Sequence, residues 1–320
     1  MKNRKENLQG AQEVRSRRWF LKKTAGVGFG LATALDQFPN WYEELTNTAP
    51  ATIGLAEGQR LDATTESGVL VLCGVPGRSG KSIANALTPS LGLLGSVMYA
   101  KYGGLDEDVK SLKEHLDAIQ RKTGMKRLSL YCQSMGFEVA GKLIPLIGDQ
   151  FEFDYIFADC PPLDFSDVHF GKVGQLLADD PYYNGGAIFT AINDTVVYGN
   201  PLEPYVSDDT ATPTLYWKEI RTLGDGKRYS TRLINYFNRY NANHERKMKM
   251  VVLRPQNPAK DPVVKDIKAL KDLRKDIPAT IDAPVSGRNQ GHANADKNPY
   301  WYNRAIRGAI FNLSNATSYS

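Results

Sequence analysis

A serine stands in the run of residues 132–136, Cys-Gln-Ser-Met-Gly, where an apolar segment gives way to a helix-like one. The pattern predicts a strand over Leu128–Cys132 and a helix over Phe137–Ile147. In such a turn the serine hydroxyl projects above the sheet, at the positive end of the following helix. The turn also needs a small residue two places after the serine, and Gly136 satisfies this. Ser134 is therefore the candidate nucleophile, and the alternative is a serine that only caps the helix.

A glycine-rich turn, Cys-Gly-Val-Pro-Gly over residues 73–77, follows the first strong predicted strand, Val69–Cys73. Acyl transfer requires two backbone N–H groups aimed at the oxygen on which negative charge develops. A turn at a strand end can supply one of them, and the residue after the nucleophile supplies the other. Val75 and Met135 are the predicted oxyanion donors, each through its main chain.

A histidine occupies the loop of residues 287–294, between the predicted strand Ala279–Pro284 and the final predicted helix, Tyr300–Leu313. His292 alone among four histidines follows a core strand, which makes it the candidate base; the alternative is a solvated loop histidine. The other three are predicted on a charged helix face or within a Tyr- and Asn-rich segment: His115, His169 and His244.

Together the serine turn, the glycine-rich turn and the histidine loop resemble the α/β-hydrolase family. The resemblance covers residues 68–160 and 247–313. Two cysteines depart from the family pattern. Cys132 stands where a glycine usually precedes the nucleophile by two, and Cys73 replaces the customary histidine before the oxyanion turn.

The resemblance also implies an acid that orients the histidine. The family order is nucleophile, acid, histidine, and Asp261 satisfies it from the loop of residues 255–264, which follows the predicted strand Met248–Leu253. Asp159, at the end of the preceding core strand, is the alternative acid.

In the reaction that the resemblance implies, His292 deprotonates Ser134 as it attacks a carbonyl carbon, and water later releases the acyl group. The expected substrate is a small-molecule or lipid-like acyl compound, with a short or medium ester as the default. No cofactor and no metal are expected, because the triad itself supplies nucleophile, base and charge stabilisation.

Strand-like and helix-like segments alternate along residues 52–160 and again along residues 247–320. This alternation of strands and helices predicts an α/β fold with a mostly parallel central sheet and helices on both faces. One predicted helix, Ile83–Leu94, is expected to be interrupted near Pro89. The alternation stops over residues 161–246, which we interpret as an inserted cap or lid.

The first 51 residues are predicted to be an export signal and linker. The run Ser-Arg-Arg-Trp-Phe-Leu-Lys at residues 16–22, followed by a mild apolar stretch, resembles the bacterial twin-arginine signal. We therefore expect the translocation machinery of that pathway as a partner, and a periplasmic or extracellular location, with an uncleaved signal anchor as the alternative. No segment is apolar and long enough to predict a membrane span in the mature chain.

The net charge of +5 comes from the amino terminus. Of 40 basic and 35 acidic residues, eight basic and two acidic ones lie within residues 1–23, which leaves 32 and 33 for the rest. Nucleic-acid binders carry a basic excess on the folded surface, so nucleic acid is not an expected partner.

Three cysteines end three predicted strands: Cys73, Cys132 and Cys160. Their spacing fits no metal site, and three thiols cannot all pair. We expect small buried side chains, with a single disulfide as the alternative.

Two other functions compete with the hydrolase interpretation. Gly74 through Ser82, with Gly80 and Lys81 before the serine, invites a phosphate-loop interpretation, with Asp159 imitating a metal-binding aspartate. The register fails, because the motif needs a glycine where Val75 stands. The second alternative is a non-catalytic binding protein on the same fold.

Overall fold

A seven-stranded sheet forms the centre of the computed structural model, which describes residues 51–74, 80–101, 106–163, 167, 213–257, 264–286 and 293–316. Its strands are short apolar runs, and most of their residues are buried. In chain order they are β1 (Thr52–Leu55), β2 (Ser67–Leu72), β3 (Ser96–Lys101), β4 (Arg127–Gln133), β5 (Glu152–Asp159), β6 (Lys249–Pro255) and β7 (Ile281–Val285).

Six helices are described alongside the sheet. They are α1 (Lys81–Leu91), α2 (Asp106–Thr123), α3 (Gly136–Ile147), α4 (Pro213–Asn243), α5 (Asp266–Asp276) and α6 (Pro299–Ala316). The sequence of α2 illustrates why they form. Acidic residues begin it and Arg121 and Lys122 end it, so the charges oppose the helix dipole at both ends.

The strand order is β1-β3-β2-β4-β5-β6-β7, and only β1 runs antiparallel to its neighbour. The chain leaves β2 for one side of the sheet, through β3, and then returns to place β4 on the other side of β2. The order of the strands therefore reverses between β2 and β4. In open α/β sheets, ligands bind beyond the carboxyl ends of the strands at such a reversal.

Side chains alternate between the two faces of the sheet and fill two separate cores. Leu70 and Leu72 of β2 belong to the core that α2, α3, α4 and α5 cover, whereas Val69 and Val71 belong to the core under α1 and α6. The predicted fold class, a mostly parallel sheet with helices on both faces, is confirmed.

Helix α4 lies within the segment predicted to be a cap. Its second half carries an apolar stripe that joins the core beneath α3: Leu233, Ile234, Phe237 and Tyr240. This half of the helix therefore covers the sheet. Residues 168–212, which make up most of the predicted cap, lie outside the described residues, and the cap stays a prediction.

One smaller expectation is corrected. Helix α1 is not interrupted near Pro89, because this proline falls in the last turn, where its missing N–H removes a single hydrogen bond. The expectation of small buried cysteine side chains is confirmed, and no disulfide joins the three, which lie at the carboxyl ends of their strands: Cys73, Cys132 and Cys160. Burial also raises the pKa of the Cys132 thiol.

None of the described helices is both long enough and apolar enough to span a bilayer. The export signal and linker were predicted over residues 1–51, and residues 1–50 lie outside the described residues.

Candidate functional site

Ser134 occupies a strained turn between β4 and α3. Its φ angle is +49°, in the left-handed region that a residue with a Cβ adopts only at a cost of about 1–3 kcal/mol. The strain is held in place by the sheet, because the Ser134 N–H donates to the Asp159 carbonyl oxygen at 2.7 Å. The side chain remains partly exposed between two buried neighbours, Gln133 and Met135. This geometry is that of a nucleophile elbow, which presents a hydroxyl at the top of the sheet.

Glycine is required on both sides of the elbow. An added Cβ on Gly136 would lie 2.3 Å from the carbonyl oxygen of Leu72 in β2, and an added Cβ on Gly74 would lie 2.7 Å from the Ser134 Cβ. Backbone therefore touches backbone where β2 and β4 end. This close contact explains why a small residue is needed two places after the serine, as the sequence predicts.

The glycine-rich turn begins directly against the elbow. The same added Cβ on Gly74 would lie 3.0 Å from the Met135 nitrogen, so the start of the turn and the Met135 N–H are neighbours. Because Met135 precedes the first turn of α3, no carbonyl of that helix accepts its N–H. Met135 is thus placed as an oxyanion donor would be. Val75, the second predicted donor, lies outside the described residues.

Three non-glycine residues among those described have positive φ angles, and all three follow carboxyl ends of the sheet: Ser134, Cys160 and Ala293. They are joined to the strands by main-chain or side-chain hydrogen bonds. The Cys160 N–H donates to the Leu253 carbonyl oxygen at 2.9 Å, and the Gln133 side chain donates to the Ala293 carbonyl oxygen. Strained backbone gathers at one edge of the sheet, as it commonly does at functional sites.

Solved structures resemble this arrangement over four fifths of the chain. A haloalkane dehalogenase loop variant from Bradyrhizobium elkanii matches with a TM-score of 0.53 at 16% identity, over 84% of this chain and 99% of that one. A lipase-esterase related protein from Clostridium acetobutylicum matches with a TM-score of 0.51 at 9% identity, over 81% and 99%. A variant of AqdC, bound to the Pseudomonas quinolone signal whose ring it cleaves, matches with a TM-score of 0.52 at 11% identity, over 81% and 99%.

The chain has the α/β-hydrolase fold. No family model and no curated protein sequence matches it. At identities of 9 to 16% the likeness establishes the fold alone, and the dehalogenase and the ring-cleaving enzyme show that this fold carries different reactions. The reaction must therefore be argued from the site.

Asp159 is a buried charged group at the carboxyl edge of this sheet with the α/β-hydrolase fold. It ends β5, next to Gln133 in register, and its side chain is fully buried. One carboxylate oxygen accepts a hydrogen bond from the Tyr131 hydroxyl at 2.7 Å, and the other accepts one from the Tyr302 hydroxyl at 3.1 Å. Burial and the nearby Asp159 charge raise the pKa of both phenols well above their ordinary value, so both stay protonated and keep donating.

These tyrosines bear on two sequence-based hypotheses. The nucleotide alternative needs Asp159 to hold a metal, but here both of its oxygens accept phenolic protons. Among the described residues, no group of three His, Cys, Asp or Glu side chains could hold a metal ion. Tyr302 also accepts the N–H of Asn294, two residues after His292, so Asp159 is linked to the histidine loop through one phenol.

The other predicted site residues fall at loops whose anchors are described. His292 lies outside the described residues, but the loop ends at Ala293, which is buried. Asp261 also lies outside them, and described residues on either side of it in the chain make main-chain hydrogen bonds. The Gln256 N–H donates to the Val285 carbonyl oxygen at 2.9 Å, and the Lys265 N–H donates to that of Asp167 at 2.6 Å.

Two of the remaining histidines are described, and neither lies at the carboxyl edge of the sheet. His115 is exposed on α2. His244 follows α4, where its ring stacks on Tyr240 with centroids 3.9 Å apart. His169 lies outside the described residues.

Sequence reasoning missed three polar groups of this edge: Gln133, Tyr131 and Tyr302. Gln133 and Tyr131 are polar residues at the buried carboxyl end of the strand that leads to Ser134, and this was the available signal. Tyr302 offered none, because it meets Asp159 across 143 residues of chain.

Proposed function

We propose that this protein is an exported serine hydrolase that cleaves a carboxylic ester or amide through an acyl-enzyme on Ser134. The observation that carries the proposal is the strained Ser134 turn, packed against the Gly74 backbone where the strand order reverses. A serine held at a φ of +49° by buried neighbours is costly to maintain and is used where a hydroxyl must be presented.

In the proposed reaction His292 takes the proton of Ser134 while the serine oxygen attacks the substrate carbonyl carbon. The N–H groups of Met135 and Val75 stabilise the oxyanion, and collapse expels the alcohol or amine, which receives the proton from His292. A water molecule, deprotonated by His292, then attacks the acyl-enzyme and regenerates Ser134. Every proton and leaving group is thus accounted for without a cofactor.

Asp261 is the proposed acid for His292. Its loop follows β6, the strand before the one that leads to the histidine loop. Asp159 is the second candidate, and its link through Tyr302 to Asn294 favours it. We assign Asp159 first to holding the two phenols, because both of its oxygens accept from them.

The substrate class is part of the proposal. The Ser134 turn lies at the carboxyl edge of the sheet, and the predicted cap is inserted in the chain between β5 and β6. A small-molecule or lipid-like acyl compound fits such an architecture, and one solved neighbour is described as a lipase-esterase related protein, which supports this choice.

The test is turnover of p-nitrophenyl acetate and butyrate by the purified mature protein and its variants. Ser134→Ala and His292→Ala are each expected to lower kcat by at least about 10³-fold. Ser96→Ala and His244→Ala are the matched controls and keep wild-type rates, because Ser96 bonds the Arg60 carbonyl at the opposite edge of the sheet. Unchanged turnover in Ser134→Ala would remove this serine from the mechanism.

A further inference from the structure

The Gln133 side chain connects the two loops that flank the nucleophile. It ends β4 directly before Ser134 and is only 7% exposed. Its Oε1 accepts from the Cys73 thiol at 3.0 Å and, more weakly, from the Gly74 N–H at 3.5 Å. Its Nε2 donates to the carbonyl oxygen of Ala293, the residue after His292.

Only one orientation of the Gln133 amide satisfies these partners. The Ala293 carbonyl can only accept, and the Gly74 N–H can only donate. Rotating the amide by 180° would set oxygen against the carbonyl and NH₂ against the N–H, which would leave two buried main-chain groups unpaired. Such groups cost about 1–3 kcal/mol each, so the observed orientation is fixed.

Both loops need such a connection, because neither is held by regular secondary structure at this point. Gly74 leads into the turn that carries Val75. Ala293 has a φ of +42° and is buried, so its backbone occupies an unfavourable conformation that its surroundings must maintain. One amide therefore contacts both loops beside Ser134.

We propose that Gln133 is a positioning residue, which holds Gly74, where the predicted oxyanion turn begins, and Ala293, directly after His292, beside Ser134. The inference rests on the proposed function, since it assigns Gln133 a role in the reaction of Ser134 and His292. Reacting groups must be placed within a few tenths of an ångström, and a displacement near 1 Å costs about 10²-fold in rate.

Two variants separate positioning from packing. Gln133→Met keeps the length of the side chain and removes both hydrogen-bonding ends. Gln133→Glu keeps an acceptor for Gly74, but it donates to Ala293 only while the carboxyl is protonated. Burial and the facing carbonyl raise the pKa of a carboxyl at this position, so the hydrogen bond to Ala293 exists at acidic pH and is lost as pH rises through that pKa.

The experiment measures the rate at which a fluorophosphonate probe labels Ser134, together with kcat and KM for p-nitrophenyl acetate, from pH 5 to 8. Gln133→Met is expected to label about 10- to 100-fold more slowly than wild type, with kcat lowered and KM little changed. For Gln133→Glu, the ratio of its rate to the wild-type rate falls with rising pH. Gln120→Met and Gln120→Glu are the matched controls. Gln120 lies on α2, where its side-chain amide donates to the Gln150 carbonyl oxygen at 2.7 Å, and it makes none of the contacts of Gln133.

Labelling of folded Gln133→Met at the wild-type rate would overturn the inference while leaving the proposed function standing. An unlabelled wild-type Ser134 would overturn the proposed function, and this inference with it. If Gln133→Met does not fold, Gln133→Glu tests the inference instead, through the ratio of its labelling rate to the wild-type rate at each pH. A ratio independent of pH would then overturn the role of Gln133.

Discussion

An added Cβ on Gly74 would lie 2.7 Å from the Cβ of Ser134, closer than such carbons approach in real proteins. The end of β2 and the nucleophile turn after β4 are therefore in direct backbone contact. The same added Cβ would lie 3.0 Å from the Met135 nitrogen. Gly74 and Ser134 can approach this closely only because Gly74 has no side chain.

The first prediction follows from this contact. Gly74→Ala must move the oxyanion turn away from Ser134, so kcat for p-nitrophenyl acetate should fall by about 10- to 100-fold while the protein remains folded. Gly308→Ala is the control. Nothing lies near its added Cβ on α6, and it should gain up to about 1 kcal/mol of stability with unchanged turnover. Wild-type kcat in Gly74→Ala would show that the turn is not part of the site.

The second prediction separates the two candidate acids. Asp261→Asn should lower kcat by about 10³- to 10⁴-fold with little change in stability, because the histidine loses the group that orients it. Asp159→Asn should lower the free energy of unfolding by about 1–3 kcal/mol, because one of its two phenols loses a charged acceptor. Its kcat should change by less than about tenfold. The reverse pattern, in folded protein, would make Asp159 the acid of the triad.

The third prediction concerns alkaline pH. Burial and the Asp159 charge raise the pKa of Tyr131 and Tyr302 in the folded state, whereas an unfolded tyrosine ionises near pH 10. The stability that these neutral phenols contribute is complete below pH 10. It is lost as pH rises from there toward the folded-state pKa values, by up to about 1.4 kcal/mol per pH unit for each tyrosine.

Urea unfolding between pH 8 and 11 measures this loss. Tyr131→Phe and Tyr302→Phe should each be less stable than wild type at pH 8, yet should lose less stability between pH 10 and 11. Tyr300→Phe is the control, since Tyr300 is 67% exposed, and its decline should match that of wild type. If neither buried-tyrosine variant reduces the loss of stability at alkaline pH, the role assigned to the two phenols that donate to Asp159 is contradicted.

The fourth prediction tests the export signal. Replacing Arg17 and Arg18 together with lysine preserves the charge but removes the arginine pair that the twin-arginine pathway recognises. The full-length precursor should then remain in the cytoplasm of a bacterial host, as detected by fractionation and immunoblotting. Lys22 and Lys23 replaced with arginine should leave export unchanged. Equal export of the Arg17 and Arg18 variant would contradict the signal assignment.

Much of the fold could be predicted because the strands are short apolar runs separated by amphipathic helices. The strand predicted at Leu128–Cys132 is one residue longer at each end in the structure, and the helix predicted at Phe137–Ile147 begins one residue earlier. Helix α4 was missed, because its Tyr, Asn and Arg content obscured an apolar stripe with helical spacing: Leu233, Ile234, Phe237 and Tyr240.

The turn at Ser134 could also be predicted, because its requirements are local in the chain. Ser134 and Gly136 lie two residues apart, and the small residue is needed for contact with Leu72. Contacts across long stretches of chain could not be predicted in this way. Gln133 and Ala293 are 160 residues apart in the chain, and Asp159 and Tyr302 are 143 apart. No local spacing in the sequence therefore predicts either hydrogen bond.

The most direct test of an activated Ser134 is fluorophosphonate labelling of the purified protein, followed by peptide mapping of the adduct. We expect a single covalent adduct on Ser134, abolished in Ser134→Ala and strongly slowed in His292→Ala, both with wild-type circular dichroism. A folded wild-type protein that forms no adduct, or one labelled at another residue, would contradict an activated Ser134. The first of these results would instead favour a binding protein on the α/β-hydrolase fold.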